Sequence, residues 1–272
     1  MRAWCNGSLI PADAPAIAVL DHGFTVGDGV FEAIKVVDGV PFALTRHLDR
    51  LGRSAAGLGL PIPDASMLRQ AIADVLRGQD LAYGRIRMTY TAGNSPLGSG
   101  RATVAPTLVV VATEAKPYPA TTAAVVVPWP RNERGALAGL KTTSYAENVV
   151  ALAYAEARDA SEAIFANTVG NLCEGTGTNV FCVFGDTVVT PPLSAGCLAG
   201  VTRDLVVEWC EVEERDIPLA DLASADEVFL TSTTRDVQGL HRLDDRGFAA
   251  EQPVTAAIAR AWTEREPLDV DP

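Results

Sequence analysis

Two prolines within three residues, in Lys116-Pro117-Tyr118-Pro119, constrain the fold of this chain more than any other feature. Neither a helix nor a sheet ladder continues through such a pair, because each proline fixes φ and removes a backbone donor. Patterned segments lie on both sides. Before the break, Leu44, Leu48, Leu51, Ala55 and Leu58 step at four, three, four and three, one face of an amphipathic helix that Pro61 and Pro63 end. A second helix is expected over 67–76, opened by Asp64 or Ser66 as N-cap. Residues 85–90 alternate as a half-buried strand does, and the apolar run 107–112 suits a buried one. After the break, strands are expected over 123–127, 163–166, 179–184 and 227–231, with helices over 145–157, 203–210 and 254–262. A loop punctuated by Pro and Gly covers 128–139. Strands and helices alternate in both halves, so the expected fold class is α/β (α+β mixed) in two domains. Their expected limits are a small N-terminal domain over 1–115, a linker over 116–121 and a larger C-terminal domain over 122–272.

Composition narrows the function. Of 272 residues, 48% are hydrophobic and 21% charged, which is globular rather than disordered. A formal charge of −12 argues against nucleic acid, which requires a basic footprint. No apolar run is long enough to span a bilayer, and residues 1–7 do not form a signal peptide. The five cysteines form no C-x-x-C pair and the three histidines lack ligand spacing, so neither disulfide framework, zinc site nor catalytic metal is expected. The chain reads as cytoplasmic.

Four turns could carry chemistry. Lys141 enters a helix from the hydroxyl-rich turn Gly139-Leu140-Lys141-Thr142-Thr143-Ser144; it is either a solvated surface charge or a partly buried nucleophile able to form a Schiff base. Glu174 precedes Gly175-Thr176-Gly177-Thr178, either an ordinary hairpin or a placed carboxylate. Gly200-Val201-Thr202-Arg203 opens a helix, as a plain N-cap or as an anion site built from N–H groups and a hydroxyl. Thr231-Ser232-Thr233-Thr234 follows a strand, with the same two readings. A reactive lysine, a carboxylate and two hydroxyl-rich nests are together what pyridoxal phosphate requires: a Schiff base to its aldehyde, a partner for the pyridine nitrogen and a phosphate cradle.

With these motifs in order, from Asp21-His22-Gly23-Phe24-Thr25-Val26-Gly27-Asp28-Gly29-Val30-Phe31-Glu32 to Thr231-Ser232-Thr233-Thr234, the chain resembles the class IV, fold-type IV pyridoxal-phosphate enzymes. That family includes D-amino-acid transaminases, branched-chain aminotransferases, (R)-amine transaminases and 4-amino-4-deoxychorismate lyases. The resemblance implies a two-domain, D-amino-acid-aminotransferase-like fold with pyridoxal 5'-phosphate as cofactor. It implies that Lys141, in the C-terminal domain, is the Schiff-base and proton-carrying catalytic lysine and that Glu174 pairs with the pyridine nitrogen. It also places Arg50, Val201, Thr202, Ser232 and Thr233 around the phosphate, although Arg50 itself reads as lying on the exposed shoulder of its helix. Phe31 and Arg87 are the substrate candidates; Arg87 is either a carboxylate partner or a strand charge facing solvent. Tyr145 is the counterpart of a tyrosine that meets the cofactor's phenolic oxygen, one position short. The loop 93–100 contains neither Arg nor His, so the carboxylate clamp of D-amino-acid transaminases is missing. The expected activity is transfer of an amino group between a small amino acid, D-amino acids or (R)-amines favoured, and a 2-oxo acid. The 4-amino-4-deoxychorismate lyase and the branched-chain L-amino-acid aminotransferase are alternatives. The family pattern also implies a homodimer.

Overall fold

A computed structural model describes residues 2–272. By internal packing it divides into two units. The first comprises residues up to 117 together with 140–145 and 270–272; the second comprises 118–139 and 146–269. The chain thus crosses at the proline pair, and Lys141, expected on the C-terminal side, packs with the first unit.

In the first unit, strands β1 (Arg2–Cys5), β2 (Ser8–Pro11), β3 (Gly29–Val37), β4 (Val40–Pro41), β5 (Tyr83–Thr91) and β6 (Thr107–Glu114) form one antiparallel sheet in the order β2-β1-β6-β5-β3-β4. Besides the short α1 (His22–Thr25), it contains α2 (Leu44–Gly57) and α3 (Ala65–Leu76). Asp64 caps α3 by accepting the Met67 N–H at 2.8 Å, as a short acidic side chain at that position should. Leu48, Leu51 and Ala55 of α2 and Leu68, Ile72 and Val75 of α3 share one core with Ile34, Val36, Ile86, Met88 and Val110 of the sheet. The run over 107–112 is half-buried rather than buried: Leu108, Val110 and Ala112 face the helices while Val109 and Val111 are only partly covered.

Residues 140–145 join this unit through backbone bonds to the near end of β3. The Phe31 N–H donates to Lys141 O at 3.0 Å and the Thr143 N–H to Gly29 O at 2.8 Å, around a bridge between Val30 and Thr142. β4 covers only the far end of that edge, at Val36 and Val37, so residues 29–31 are left to pair with a distant segment.

The second unit is a mixed sheet. Its strands are β7 (Thr121–Val126), β8 (Glu162–Ala166), β9 (Leu172–Gly175), β10 (Asn179–Phe184), β11 (Thr187–Thr190), β12 (Glu213–Glu214), β13 (Glu227–Ser232), β14 (Asp236–Leu243) and β15 (Arg246–Gly247). They run in the order β12-β11-β10-β13-β14-β7-β8-β9, with β15 on β14. Helix α4 (Ala146–Glu156) lays Ala151 and Ala155 against Ala123, Val125, Ala163 and Phe165. Helices α5 (Val201–Trp209) and α6 (Pro253–Arg265) complete it, α5 beginning two residues earlier than expected. The segment after Glu174 is not a hairpin. β9 pairs with β8, β10 pairs with β11 and β13, and only Gly175 N–H to Thr178 O closes the turn between them.

Candidate active site

In the first unit, the strand-like segment 140–145 fixes the backbone of Lys141 from both sides. Its N–H donates to Ser54 Oγ at 3.1 Å while its carbonyl accepts from Phe31. Leu140 packs so closely on α2 that a Cβ at Gly57 would lie 2.6 Å from its Cδ2. Lys141 Nζ then stands 4.3 Å from the centre of the Phe31 ring. Arg87 approaches the same ring, its guanidinium carbon 3.4 Å from the centre, close enough for a cation–π contact. Tyr145 meets Phe31 edge-on at 5.2 Å. Register explains the group: Phe31 lies opposite Thr89 across the β3–β5 ladder, so Arg87 is its diagonal neighbour on the face away from the helices. Desolvation draws the Arg87 pKa down to about 10, which leaves the group cationic at neutral pH.

The inward face of β3 carries Glu32, which is fully buried. Arg50 of α2 meets it with a two-pronged fork, Nε to Oε1 and Nη2 to Oε2, each at 2.7 Å, and His47 Nδ1 lies 2.8 Å from Oε2. Arg50 is therefore not on an exposed shoulder: it is only 5% exposed, because a buried carboxylate requires a partner and Arg50 faces it. Burial by itself would raise the Glu32 carboxyl pKa; Arg50 and His47 more than offset this and hold it far below the usual carboxylate range. The sequence did contain a signal for this cluster. His47, Arg50 and Ser54 step at three and four beside the apolar stripe of α2, so a second, polar stripe of the same helix is buried as well.

In the second unit, Glu174 lies in β9, one residue before its end. Its Oε2 accepts the Leu198 N–H at 2.9 Å, and Arg131 Nε lies 3.4 Å from Oε1. The stretch from Leu198 leads into α5, where Gly200 occupies the N-cap position and contributes no side-chain cap. A Cβ on Gly200 would lie 2.0 Å from Asn179 Oδ1, so the Asn179 side chain occupies the space that any larger residue would need. Val201 and Thr202 follow, both buried. Asn179 is in register with Thr231 of β13, whose hydroxyl is buried without a hydrogen-bond partner among the described residues. Ser232 and Thr233 continue from it, and Ser232 Oγ accepts the Arg235 N–H at 3.2 Å. An uncapped helix start, a glycine whose Cβ would obstruct it and an orphan hydroxyl nearby suit a phosphate.

Within each unit, then, the expected site residues fall into groups: Phe31, Arg87, Lys141 and Tyr145 around one ring, with Arg50 on the inner face of the same sheet; and Glu174, Val201, Thr202, Ser232 and Thr233 at strand and helix ends of the other. Sequence reasoning missed Glu32, His47 and Ser54 in the first unit and Arg131 and Asn148 in the second. Among the described residues no cluster of His, Cys, Asp or Glu could hold a metal ion, and no helix is long and apolar enough to cross a membrane.

The profile of the family described as amino-transferase class IV matches residues 29–243. A D-alanine aminotransferase from Bacillus licheniformis is 29% identical, the match covering 96% of this chain and 95% of that protein. An aminodeoxychorismate lyase from Bacillus subtilis is 27% identical over 91% of this chain and 88% of its own length. The crystal structure of the Escherichia coli branched-chain amino acid aminotransferase superposes with a TM-score of 0.90 at 26% identity, covering 97% of this chain and 93% of that one. With lysine, carboxylate and anion-cradle motifs all lying in the matched span, the chain belongs to the class IV aminotransferases and is a pyridoxal-phosphate-dependent enzyme of fold type IV.

Proposed function

We propose that the protein transfers an amino group between a small amino acid and a 2-oxo acid, with D-amino acids or (R)-amines favoured as donors. When bound, pyridoxal phosphate supplies an electron sink for the charge that develops at the substrate's Cα. Lys141 is assigned the Schiff base and the proton moved at Cα. Glu174 is assigned the pyridine nitrogen, and Arg50, Val201, Thr202, Ser232 and Thr233 the phosphate. Phe31 and Arg87 are assigned the substrate. The observation that carries this reading is that Arg87 and Lys141 both stand on the Phe31 ring, at 3.4 and 4.3 Å. A guanidinium and a lysine amine on one ring suit a substrate whose amine and carboxylate share one carbon. The likeness to a D-alanine aminotransferase over nearly the whole of both chains supports the choice of donor.

A second reading, the aminodeoxychorismate lyase, is favoured by one feature. The loop 93–100 contributes no cation, and Arg101 just beyond it is turned away to Asp28, Gly59 O and Leu58 O. A homodimer is proposed from the apolar residues where segments 19–26 and 94–97 meet: Val19, Phe24 and Leu97 are each at least 75% exposed there, and exposed apolar side chains on adjoining segments suit a partner surface. A cytoplasmic location is proposed with it.

The test is a panel of D- and L-amino acids, (R)-1-phenylethylamine and aminodeoxychorismate, followed by cofactor absorbance. Conversion to the pyridoxamine form by D-amino acids is expected; conversion by branched-chain L-amino acids alone, or release of an aminobenzoate, would replace the reading. Borohydride reduction should attach the cofactor to the peptide containing Lys141, and to no other lysine. Arg87→Ala removes a charge-assisted contact of about 1.5–3 kcal/mol. KM for amino acids should therefore rise about ten- to hundredfold, with (R)-1-phenylethylamine, which lacks a carboxylate, little affected.

A further inference from the structure

Asn148 lies outside every turn singled out by the sequence, yet it stands where two parts of the second unit are tied together. It is in the first turn of α4 and 8% exposed. Its Oδ1 accepts from Arg131 Nη1 at 2.9 Å, and its Nδ2 donates to the Thr176 carbonyl at 2.6 Å. The partners dictate the orientation of the amide, since a guanidinium only donates and a carbonyl only accepts. Both partners bear on Glu174. Arg131 Nε lies 3.4 Å from Glu174 Oε1, and Thr176 is two residues further along the same turn. Thr176 is itself anchored: its N–H donates to the buried Glu162 at 2.9 Å, and its hydroxyl donates to the same oxygen. Arg131 Nη1 also donates to Glu147, whose side chain is 50% exposed, and the guanidinium carbon stands 4.1 Å over the Phe165 ring.

We propose that Asn148 is a positioning residue for Glu174: by bridging Arg131 to the Thr176 carbonyl, it keeps the guanidinium against the Glu174 carboxylate and so fixes the carboxylate's direction. The importance of this for the reaction rests on Glu174 being the partner of the pyridine nitrogen, as proposed above. Without the bridge, Glu147 is the acceptor left to Arg131 on the solvent side, and the guanidinium moves off Glu174. An opposite charge that close favours the ionised carboxylate, so its departure raises the carboxyl pKa.

The experiment is a titration of the protein without cofactor, labelled with 13C at glutamate side chains, the Glu174 resonance being assigned by its loss in Glu174→Gln. Asn148→Ala should raise the Glu174 pKa by on the order of one unit. Asn148→Asp keeps the side-chain volume should the alanine variant fold poorly; it loses the donor to Thr176, competes for the guanidinium and should shift Glu174 the same way. In an Arg131→Met background, which already raises the pKa, Asn148→Ala should add nothing. A Glu174 pKa unmoved in both Asn148 variants, or a full additional shift on top of Arg131→Met, would overturn the proposal. The role of Glu174 towards the cofactor is tested separately, by the turnover of Glu174→Gln, so either idea can fail while the other stands.

Discussion

Glu32 is the residue on which the lysine-bearing unit most depends for its charge balance. Removing its charge in Glu32→Gln leaves Arg50 buried without a counter-ion, a defect of about 3–5 kcal/mol; thermal denaturation at neutral pH should show it directly, and an unchanged Tm would mean that the pair contributes nothing net. The pH dependence has a definite sign. Burial lowers the pKa of His47 below its ordinary 6.5 despite Glu32 beside it, with Arg50 and Lys141 adding to the effect. Glu32 lies far below its ordinary 4.5. Both groups therefore bind protons in the unfolded chain at pH values where the fold refuses them. Stability falls as the pH drops through 6.5 and falls more steeply below 4.5, while the gap between wild type and Glu32→Gln closes in acid. Little of this cluster was legible in the sequence. A glutamate inside a strand does not announce which face it occupies, and the partners of Glu32 are on another element. Lys141 and Glu174 stood out because each borders a turn rich in Gly and Thr; Glu32 and Asn148 lie inside regular elements and did not.

Among elements, α5 shows how a helix start becomes a binding feature. Gly200 offers no side-chain cap, and the space where its Cβ would be is occupied by Asn179, which donates to Leu198 O at 2.8 Å. Gly200→Ala should push Asn179 aside and disturb the 198–202 turn. We expect pyridoxal phosphate affinity to fall about tenfold or more, equivalent to about 1.4 kcal/mol; fluorescence titration of the cofactor-free protein measures it, and unchanged affinity would detach α5 from the phosphate. Amphipathic α2 and α3 could be read from spacing because one face of each meets the sheet. β3 escaped such a reading: Val30, Phe31, Glu32, Ile34, Lys35 and Val36 are all buried, so no polar–apolar alternation survives along it. The 107–112 run misled in the opposite way, since an unbroken apolar string does not reveal that alternate members face outward.

For the molecule as a whole, the proline pair marks one passage between units, but composition marks neither the return of 140–145 nor that of 270–272. Both returns are made by hydrogen bonds to partners far along the chain, which local patterning does not encode. The second return has its own energetic role. Ala43, at the N-cap of α2, sits at φ 50° with no side chain to offer. Asp271 takes its place, accepting the Thr45 N–H at 2.7 Å, while Val270 O accepts the Ala43 N–H at 2.7 Å and Pro272 O accepts from Arg46 Nε at 2.7 Å. Asp271→Ala should cost about 0.5–2 kcal/mol, the range of a lost N-cap, visible as a lower Tm without any change in the pKa of Glu174. The helix so capped also carries His47, Arg50 and Ser54. During synthesis these residues leave the ribosome more than two hundred positions before Asp271 does. Until then α2 has no cap, and the Lys141 segment has no finished helix to dock on once it emerges. The first unit, although it starts the chain, is complete only once residues 270–272 have been made, after the whole of the second, so the full set of contacts that orders the lysine forms late in synthesis rather than as its own strands emerge.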